Sequence, residues 1–251
     1  MTEADLCQIL IKAANERGWS AYPETSGWDV LLVHGDGTQI GVQAKLHATM
    51  HLLAQTLPLS YPGYCRLTAK NRREQVGPDF RAILIPDKAI SRNHSDISHV
   101  CMSLGLWVLT EKQHGWAILE PWEGLSPWQS DTYDWRPTSR CWLPEVVPGF
   151  QAGISSPIQM TEWKQKAFRF LARAQIRGYV TSVDAKELGL NIGTFVRRPP
   201  KYRWLELLDT KKRPFRYRLW QGASDGKRPD VRHPEEFAHF VAEQEQVLKD
   251  R

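Results

Sequence analysis

Residues 27–46 read GWDVLLVHGDGTQIGVQAKL, and this stretch decides how the first part of the chain folds. Two short apolar runs flank Gly35-Asp36-Gly37, a combination that is typical of the tight turn in a β-hairpin. If the loop consists of residues 35–37, Asp29 on the first strand lies opposite Gln43 on the second. A two-residue turn would shift the register by one residue. The sequence therefore predicts an antiparallel hairpin whose register is set by this loop.

The two faces of this hairpin differ in chemistry. Because side chains alternate along a strand, Gln43 and Lys45 share one face, and the register adds Asp29 to it. A carboxylate, an amide and an ammonium group would then meet on one patch of the sheet. The other face is predicted to be an apolar core face, formed by Trp28, Val30, Leu32, Ile40, Val42 and Ala44.

Composition places the chain among globular proteins. It has 251 residues, of which 41% are hydrophobic and 24% charged, enough for one large or two modest domains. No apolar run approaches the length of a membrane span, and the acidic residues Glu3 and Asp5 do not suit a signal peptide. The cysteines are widely spaced at positions 7, 65, 101 and 141. We therefore expect a cytoplasmic protein with reduced thiols, without a zinc or disulfide framework.

The charge is unevenly distributed between the two halves of the chain. Residues 1–154 contain 13 Lys and Arg against 16 Asp and Glu, a net charge of −3. Residues 155–251 contain 20 against 12, a net charge of +8. This asymmetry indicates that the second half binds a polyanion.

The order of the elements in the first half predicts a mixed α/β sheet flanked by helices. The first helix carries apolar residues at helical spacing, namely Leu6, Ile9, Leu10 and Ala13. The predicted elements are a helix at 3–17 with Thr2 as N-cap and Gly18 as its stop, a strand beginning at 19–22, a turn at 23–27, the hairpin, a helix at 48–57, a strand at 80–85, a helix at 97–104, and strands at 106–109 and 116–119.

A connector rich in proline and tryptophan separates the two halves. We assign residues 1–120 to the first domain, 121–157 to the connector and 158–251 to the second domain. A connector of this length is usually functional or packed across a domain. Its tryptophans could stack on nucleobases, or they could pin the connector onto a domain surface.

The second half has the element order of a winged helix-turn-helix domain. A helix at 161–177 is predicted to bury Trp163, Ala167, Phe168, Leu171, Ala172 and Ile176. Ser182 and Asn191 are predicted to cap two short helices, the segment at 209–220 has the basic and aromatic pattern of a β-wing, and Pro234 begins a last helix with Phe237, Phe240, Val241 and Leu248 inward.

The segment 197–218 is the strongest candidate for contact with a polyanion. It holds nine Lys and Arg, two acids and four aromatic residues, at the end of a recognition helix and along the wing. The nucleic-acid-binding residues predicted here are Arg197, Arg198, Lys201, Arg203, Lys211, Lys212, Arg213, Arg216 and Arg218. A solvated basic face without a ligand is the alternative for the same pattern.

The hairpin resembles the PD-(D/E)xK motif of restriction-endonuclease-like nucleases. The motif stands here as Trp28-Asp29 and Gln43-Ala44-Lys45, with glutamine in the position that is usually acidic. The Gln-x-Lys form is similar to that of Mrr-type restriction enzymes and of the endonuclease subunit of heteromeric transposases. The resemblance covers about residues 1–120 and implies a restriction-endonuclease-like sheet, while the second half resembles winged-helix domains.

The resemblance implies a catalytic magnesium site, for which Mn²⁺ would substitute. Phosphodiester hydrolysis uses a divalent ion to polarise the phosphate and to lower the pKa of a water. Asp29, Gln43 and the carbonyl of Ala44 are the expected ligands, since Mg²⁺ prefers oxygen donors. Lys45 would orient or deprotonate the water and stabilise the charge that develops on the phosphorane.

Many relatives add a glutamate from the first helix to this site. Glu3 is the candidate near the helix start, and Glu24 in the predicted turn is its rival. His47 and His51 stand four residues apart on a predicted helix, but without a third ligand they are expected to be polar groups near the site rather than a metal pair.

Two functions follow as expectations. The first is a metal-dependent DNA endonuclease that a basic winged-helix domain targets to DNA, either as a homodimer or as a partner in a larger DNA-processing complex. The second is a catalytically degenerate nuclease fold that serves as a DNA-binding or regulatory protein, which the neutral Gln43 keeps open. DNA is the expected partner in both, and no membrane is expected.

Overall fold

The computed structural model describes residues 1–57, 76–90, 94–112, 119, 135, 137–147, 152–153, 160–196, 203–209, 213–220 and 233–250. The chain divides into two compact units, Met1–Gln159 and Met160–Arg251. The strand expected at 116–119 lies outside the described residues except for Leu119. Within the described ranges, no helix combines the length and the apolar character that crossing a membrane requires.

The first unit is a five-stranded mixed sheet with helices, so the predicted α/β class is confirmed. The strand order is β1-β2-β3-β4-β5, antiparallel from β1 to β3 and parallel from β3 to β5. Its strands are β1 (Ser20–Thr25), β2 (Trp28–Val33), β3 (Gln39–Ala44), β4 (Phe80–Leu84) and β5 (Leu106–Leu109). Its helices are α1 (Glu3–Glu16), α2 (Met50–Thr56), α3 (Asp87–Ile90) and α4 (His94–Ser103).

Helix α1 begins and ends where its sequence predicts. Thr2 is the N-cap and forms a capping box with Asp5, and Gly18 follows the helix in a left-handed conformation with φ 82°. Ile9, predicted to face inward, is 38% exposed, whereas Cys7 is fully buried. The buried stripe of α1 is therefore rotated by part of a turn relative to the prediction, and it brings the Cys7 thiol into the core.

The register of the β2–β3 hairpin is the predicted one. Val33 lies opposite Gln39 and Val30 lies opposite Val42. The amide of His34 donates to the carbonyl of Thr38 at 2.9 Å, which closes the loop at residues 35–37. The three-residue loop is therefore confirmed.

The prediction of the apolar face is wrong for one residue, Trp28. Val30, Leu32, Ile40, Val42 and Ala44 pack in the main core with residues of α1, as expected. Trp28 instead packs with Leu31 and Cys141 on the opposite side of the sheet. A Cβ atom on Gly41 would lie 2.4 Å from the indole, so the missing side chain of Gly41 provides the space that Trp28 fills.

The first strand is longer than expected. Residues 23–27 were predicted to form a turn, but β1 continues through Glu24 to Thr25, and the turn is formed by Ser26 and Gly27. Pro23 is tolerated because β1 is an edge strand, where a missing N–H breaks no inner ladder. Glu24 therefore lies in the sheet rather than in a turn.

Part of the predicted connector packs onto the first unit. The indole N–H of Trp135 donates to the carbonyl of Pro78 at 2.8 Å, and Gln39 exchanges two hydrogen bonds with the backbone of Cys141. Ala152 is fully buried in the main core. The described residues of the connector thus pack against the sheet, as in the pinning alternative, and Ala152 goes further by joining the core.

The second unit combines four helices with a three-stranded antiparallel sheet among the described residues. Its sheet has the order β6-β8-β7. The elements are α5 (Glu162–Arg177), β6 (Val180–Thr181), α6 (Ser182–Glu187), α7 (Gly193–Val196), β7 (Leu205–Asp209), β8 (Arg216–Leu219) and α8 (Pro234–Lys249). The predicted helices and the basic hairpin are all present.

Two details of the second unit differ from the sequence prediction. Thr181, not Ser182, caps α6, because its hydroxyl and the carboxylate of Asp184 form a capping box. Trp163 is 39% exposed rather than buried, and its ring stacks on Phe195 with centroids 5.8 Å apart. Phe168 of α5 contacts Phe237 and Phe240 of α8, and all three residues are buried as predicted.

Candidate functional site

Strands β2 and β3 separate at the end of the hairpin that carries the motif. Their described pairing ends at Val30 opposite Val42. Beyond that pair, the amide of Ala44 donates to Oδ2 of Asp29 at 2.7 Å, and Nε2 of Gln43 donates to the carbonyl of Gly27 at 2.6 Å. Side chains thus replace the backbone ladder where the strands part.

This arrangement changes the relation between Asp29 and Gln43. The two residues were expected to form a cross-strand pair on one face. Instead, the Asp29 carboxylate reaches past Gln43 to the backbone of Ala44, and the Gln43 amide reaches toward the turn. The structure brings both to the same strand ends, each through a bond to the backbone of the other strand or its turn.

Lys45 and Glu3 form an ion pair beside this point. Nζ of Lys45 lies 2.8 Å from Oε2 of Glu3, in the first turn of α1. The amide of Lys45 donates to the carbonyl of Leu84, which fixes the backbone against β4. Burial alone would lower the pKa of Lys45, but Glu3 and Asp29 together raise it. Lys45 is therefore a firmly protonated ammonium group.

The pKa of the Asp29 carboxylate is raised, mainly because the group is partly buried. Burial raises the pKa of Asp29, and this outweighs the lowering by the Ala44 amide and by Lys45. Burial also raises the pKa of the Cys7 thiol, and the carboxylates of Asp29, Glu24 and Glu3 raise it further. Lys45 lowers the pKa of Cys7 but does not offset these effects, so the Cys7 thiol is expected to stay neutral.

Glu24 occupies a different place from Glu3. Its side chain is buried, and Oε1 accepts a hydrogen bond of 2.8 Å from the amide of Gly153. Sequence reasoning missed both Gly153 and Cys7, because no local pattern connects either residue to the hairpin. His47 and His51 are both exposed.

The oxygen donors at the strand ends fit a magnesium ion in chemical type. Asp29 and Glu3 offer carboxylates, Gln43 an amide oxygen and Ala44 a carbonyl, and Mg²⁺ favours such ligands together with water. In the ranges that the structure describes, no three His, Cys, Asp or Glu side chains are grouped so as to hold a metal by themselves. The fit thus rests on donor chemistry.

Four of the predicted nucleic-acid-binding residues are described in the second unit. The guanidinium carbons of Arg216, Arg213 and Arg203 lie 4.3, 4.7 and 5.6 Å from the ring centroids of Tyr179, Phe215 and Trp220, respectively. Nε of Arg218 instead lies 2.6 Å from Oε1 of Glu206. The other five predicted residues, Arg197, Arg198, Lys201, Lys211 and Lys212, lie outside the described residues.

These stacking contacts determine which donors are available. An aromatic ring beneath a guanidinium holds the group flat and leaves its N–H donors at the edges. Arg218 already gives its Nε to a carboxylate. Among the described residues of this surface, Arg213 and Arg216 are therefore better prepared to bind a phosphate than Arg218, whereas the Nε atom of Arg203 is buried.

Comparisons with models of protein families, with curated proteins and with solved structures found no match to this chain.

Proposed function

We propose that the chain is a metal-dependent DNA endonuclease of the PD-(D/E)xK kind, with a restriction-endonuclease-like first unit and a winged-helix second unit that holds DNA. One observation supports the proposal: where the β2–β3 pairing ends, Asp29 accepts from the amide of Ala44, and the neighbouring side chains of Gln43 and Lys45 bind Gly27 and Glu3. A carboxylate, an ammonium group and several oxygen donors at one splayed strand end suit phosphodiester hydrolysis.

Asp29 would supply the main anionic ligand, since its carboxylate lies where the β2–β3 pairing ends, next to the backbone of Ala44. The carbonyl of Ala44, the amide oxygen of Gln43 and, after release from Lys45, the carboxylate of Glu3 would complete the ligand set. When bound, Mg²⁺ or Mn²⁺ would polarise the phosphate and lower the pKa of an attacking water.

Lys45 contributes a positive charge that does not depend on an ion. Its pKa lies above the ordinary value, so its ammonium group donates hydrogen bonds at neutral pH. It would orient the attacking water and stabilise the charge that develops on the phosphate oxygens. The pairing with Glu3 holds this ammonium group next to the Asp29 carboxylate before substrate arrives.

The second unit supports the assignment of DNA as substrate. The order of its helices and its basic hairpin suits a winged helix, in which the wing contacts the DNA backbone. The second half of the sequence carries a net charge of +8, and Arg203, Arg213 and Arg216 stack on aromatic rings. Phosphate contacts from such residues supply affinity without sequence preference.

Incubation of the full chain with supercoiled plasmid and Mg²⁺ or Mn²⁺ tests the proposal. We expect nicking or linearisation by the wild type and its loss in Asp29→Ala and Lys45→Ala. Asp36→Ala and Lys12→Ala are matched controls, because they remove the same charges from the hairpin loop and from the exposed face of α1. Equal activity in all five proteins would assign the cleavage to a contaminant.

A catalytically inactive DNA-binding protein is the second candidate, and the bonding of Gln43 favours it. The amide nitrogen of Gln43 binds the Gly27 carbonyl, which is a structural contact that needs no metal. Absence of cleavage by the wild type, together with DNA binding that weakens as salt rises, would support this candidate over the nuclease.

A further inference from the structure

Glu24 is a buried carboxylate that the proposed chemistry does not use. It is 3% exposed and lies in strand β1, two residues before the turn. Its φ of 48° falls in the left-handed region, which residues other than glycine rarely adopt. Such a conformation persists only where the surrounding structure enforces it, and it marks a position worth a functional explanation.

The carboxylate of Glu24 holds a distant part of the chain. Oε1 accepts the amide N–H of Gly153 at 2.8 Å, across a separation of 129 residues in the sequence. The neighbouring residue, Ala152, is fully buried in the main core. The two contacts fix the backbone at residues 152–153 on the first unit.

Gly153 in turn lies against the first turn of α1. A Cβ atom at this position would lie 3.0 Å from Sγ of Cys7 and 3.0 Å from the carbonyl oxygen of Glu3. Gly153 also has φ +73°, so any larger residue would be both crowded and strained. The backbone of Gly153 therefore contacts the residue whose carboxylate pairs with Lys45.

We propose that Glu24 is a positioning residue: by binding the amide of Gly153, it holds the backbone of residues 152–153 against α1 and so fixes the Glu3 carboxylate beside Lys45. The inference rests on the proposed function for its catalytic consequence, although the contacts themselves do not. The proposal also gives the two glutamates different roles. Glu3 would act in the proposed site, and Glu24 would position Glu3 through Gly153.

A positioning role and a metal-ligand role for Glu24 differ in what a glutamine at this position would do. A positioning residue should tolerate glutamine, whereas a carboxylate ligand should not. A backbone amide can donate to the amide oxygen of glutamine as well as to a carboxylate. Glu24→Gln therefore preserves the contact to Gly153 and removes the negative charge. Glu24→Ala removes the acceptor, and Gly153→Ala displaces the same backbone from the other side.

Two labelling ratios on the full-length, metal-free protein report on these contacts. The first is iodoacetamide alkylation of Cys7 relative to Cys141, a buried cysteine of the same unit on the other side of the sheet. The second is acetylation of Lys45 relative to Lys12, an exposed lysine of α1. Global unfolding would raise the alkylation rates of Cys7 and Cys141 together, whereas release of Gly153 would raise the alkylation rate of Cys7 alone.

We expect Glu24→Ala and Gly153→Ala to raise both ratios roughly tenfold, and Glu24→Gln to stay within about twofold of the wild type. Plasmid cleavage should follow the same order. If the wild type does not cleave DNA, the proposed function fails, and the two labelling ratios still decide whether Glu24 is a positioning residue.

Three results would overturn the proposal. Glu24→Gln could behave like Glu24→Ala, which would show that the charge itself is needed. Glu24→Ala could leave both labelling ratios unchanged, or it could raise the alkylation rates of Cys7 and Cys141 equally. If the alanine variants do not fold, Glu24→Gln decides alone: ratios like those of the wild type support the proposal, and raised ratios refute it.

Discussion

The carboxylate of Asp29 accepts a hydrogen bond of 2.7 Å from the backbone amide of Ala44, the residue between Gln43 and Lys45. This bond stands where the β2–β3 ladder would otherwise continue past Val30 and Val42. Asp29 therefore has two roles: its side chain replaces the next backbone hydrogen bond between β2 and β3, and it presents a carboxylate where the two strands part. The roles can be separated by substitution.

Asp29→Ala should destabilise the metal-free protein, whereas Asp29→Asn should not. Alanine leaves the partly buried Ala44 amide without its acceptor, for which we expect a loss of about 1–2 kcal/mol in the free energy of unfolding. Asparagine keeps an oxygen acceptor. Urea unfolding in the presence of EDTA measures the free energy of unfolding of both variants. Equal stability of the wild type and Asp29→Ala would contradict the structural role of this bond.

Lys45→Met should abolish most of the cleavage while leaving the protein folded. Loss of a charge that stabilises the transition state typically costs about 100-fold or more in rate. Methionine retains much of the apolar stem, so packing against α1 should survive. Cleavage rates are compared with those of Lys12→Met, and a loss of less than tenfold specific to Lys45 would remove it from the catalytic set.

Arg216→Ala should weaken DNA binding more than Arg218→Ala. The guanidinium of Arg216 lies over the Tyr179 ring, while that of Arg218 is paired with Glu206. A lost phosphate contact lowers the salt dependence of log K by about one unit of slope. Fluorescence anisotropy across a salt series measures this slope. An unchanged slope in Arg216→Ala, or a larger change in Arg218→Ala, would argue against phosphate contact by the stacked arginine.

Asp184 should make the stability of the second unit depend on pH. Burial alone would raise the pKa of Asp184, but hydrogen bonds from Arg177 and Thr181 hold it below the ordinary value. A depressed pKa means that the unfolded chain binds the proton more tightly. The stability due to this carboxylate is therefore present above about pH 4 and is lost as the pH falls further.

Asp184→Asn should accordingly cost about 2–3 kcal/mol at pH 7, because it breaks a mostly buried ion pair and weakens a helix cap. The deficit should shrink as the pH approaches 3. Urea unfolding of the full chain at both values measures it, with Glu245→Gln on the exposed face of α8 as the charge-matched control. A deficit that is constant with pH would show that the ionised form of Asp184 is not what stabilises the unit.

Local signals in the sequence were enough for the elements that local chemistry determines. The turn residues at 35–37 determine the hairpin register, and Thr2 and Gly18 correctly bound the first helix. Each of these features depends on residues a few positions apart. Glu3 of the first helix, Glu24 of the predicted turn and the motif residues of the hairpin could be proposed as site residues because the resemblance to a nuclease motif points to them.

Features that depend on contacts between distant segments were not predictable in this way. Trp28 crosses to the other side of the sheet because Gly41 leaves a space for it, and Glu24 is held in β1 by an amide 129 residues away. The Asp29 bond to Ala44 requires that the strands part, which strand alternation does not encode. Tertiary packing determines each of these positions.

Calorimetric titration of Mn²⁺ into the full chain tests the proposed metal site most directly, since it does not depend on knowing which DNA sequence is cut. The variant to compare is Asp29→Asn, which keeps the bond to Ala44 but removes the charge, with Asp36→Asn as the matched control in the same hairpin. We predict a binding event in the wild type that persists in Asp36→Asn and is lost in Asp29→Asn. Binding by Asp29→Asn that equals that of the wild type, or no binding by any of the three proteins, would contradict a metal-dependent site at the parted strands.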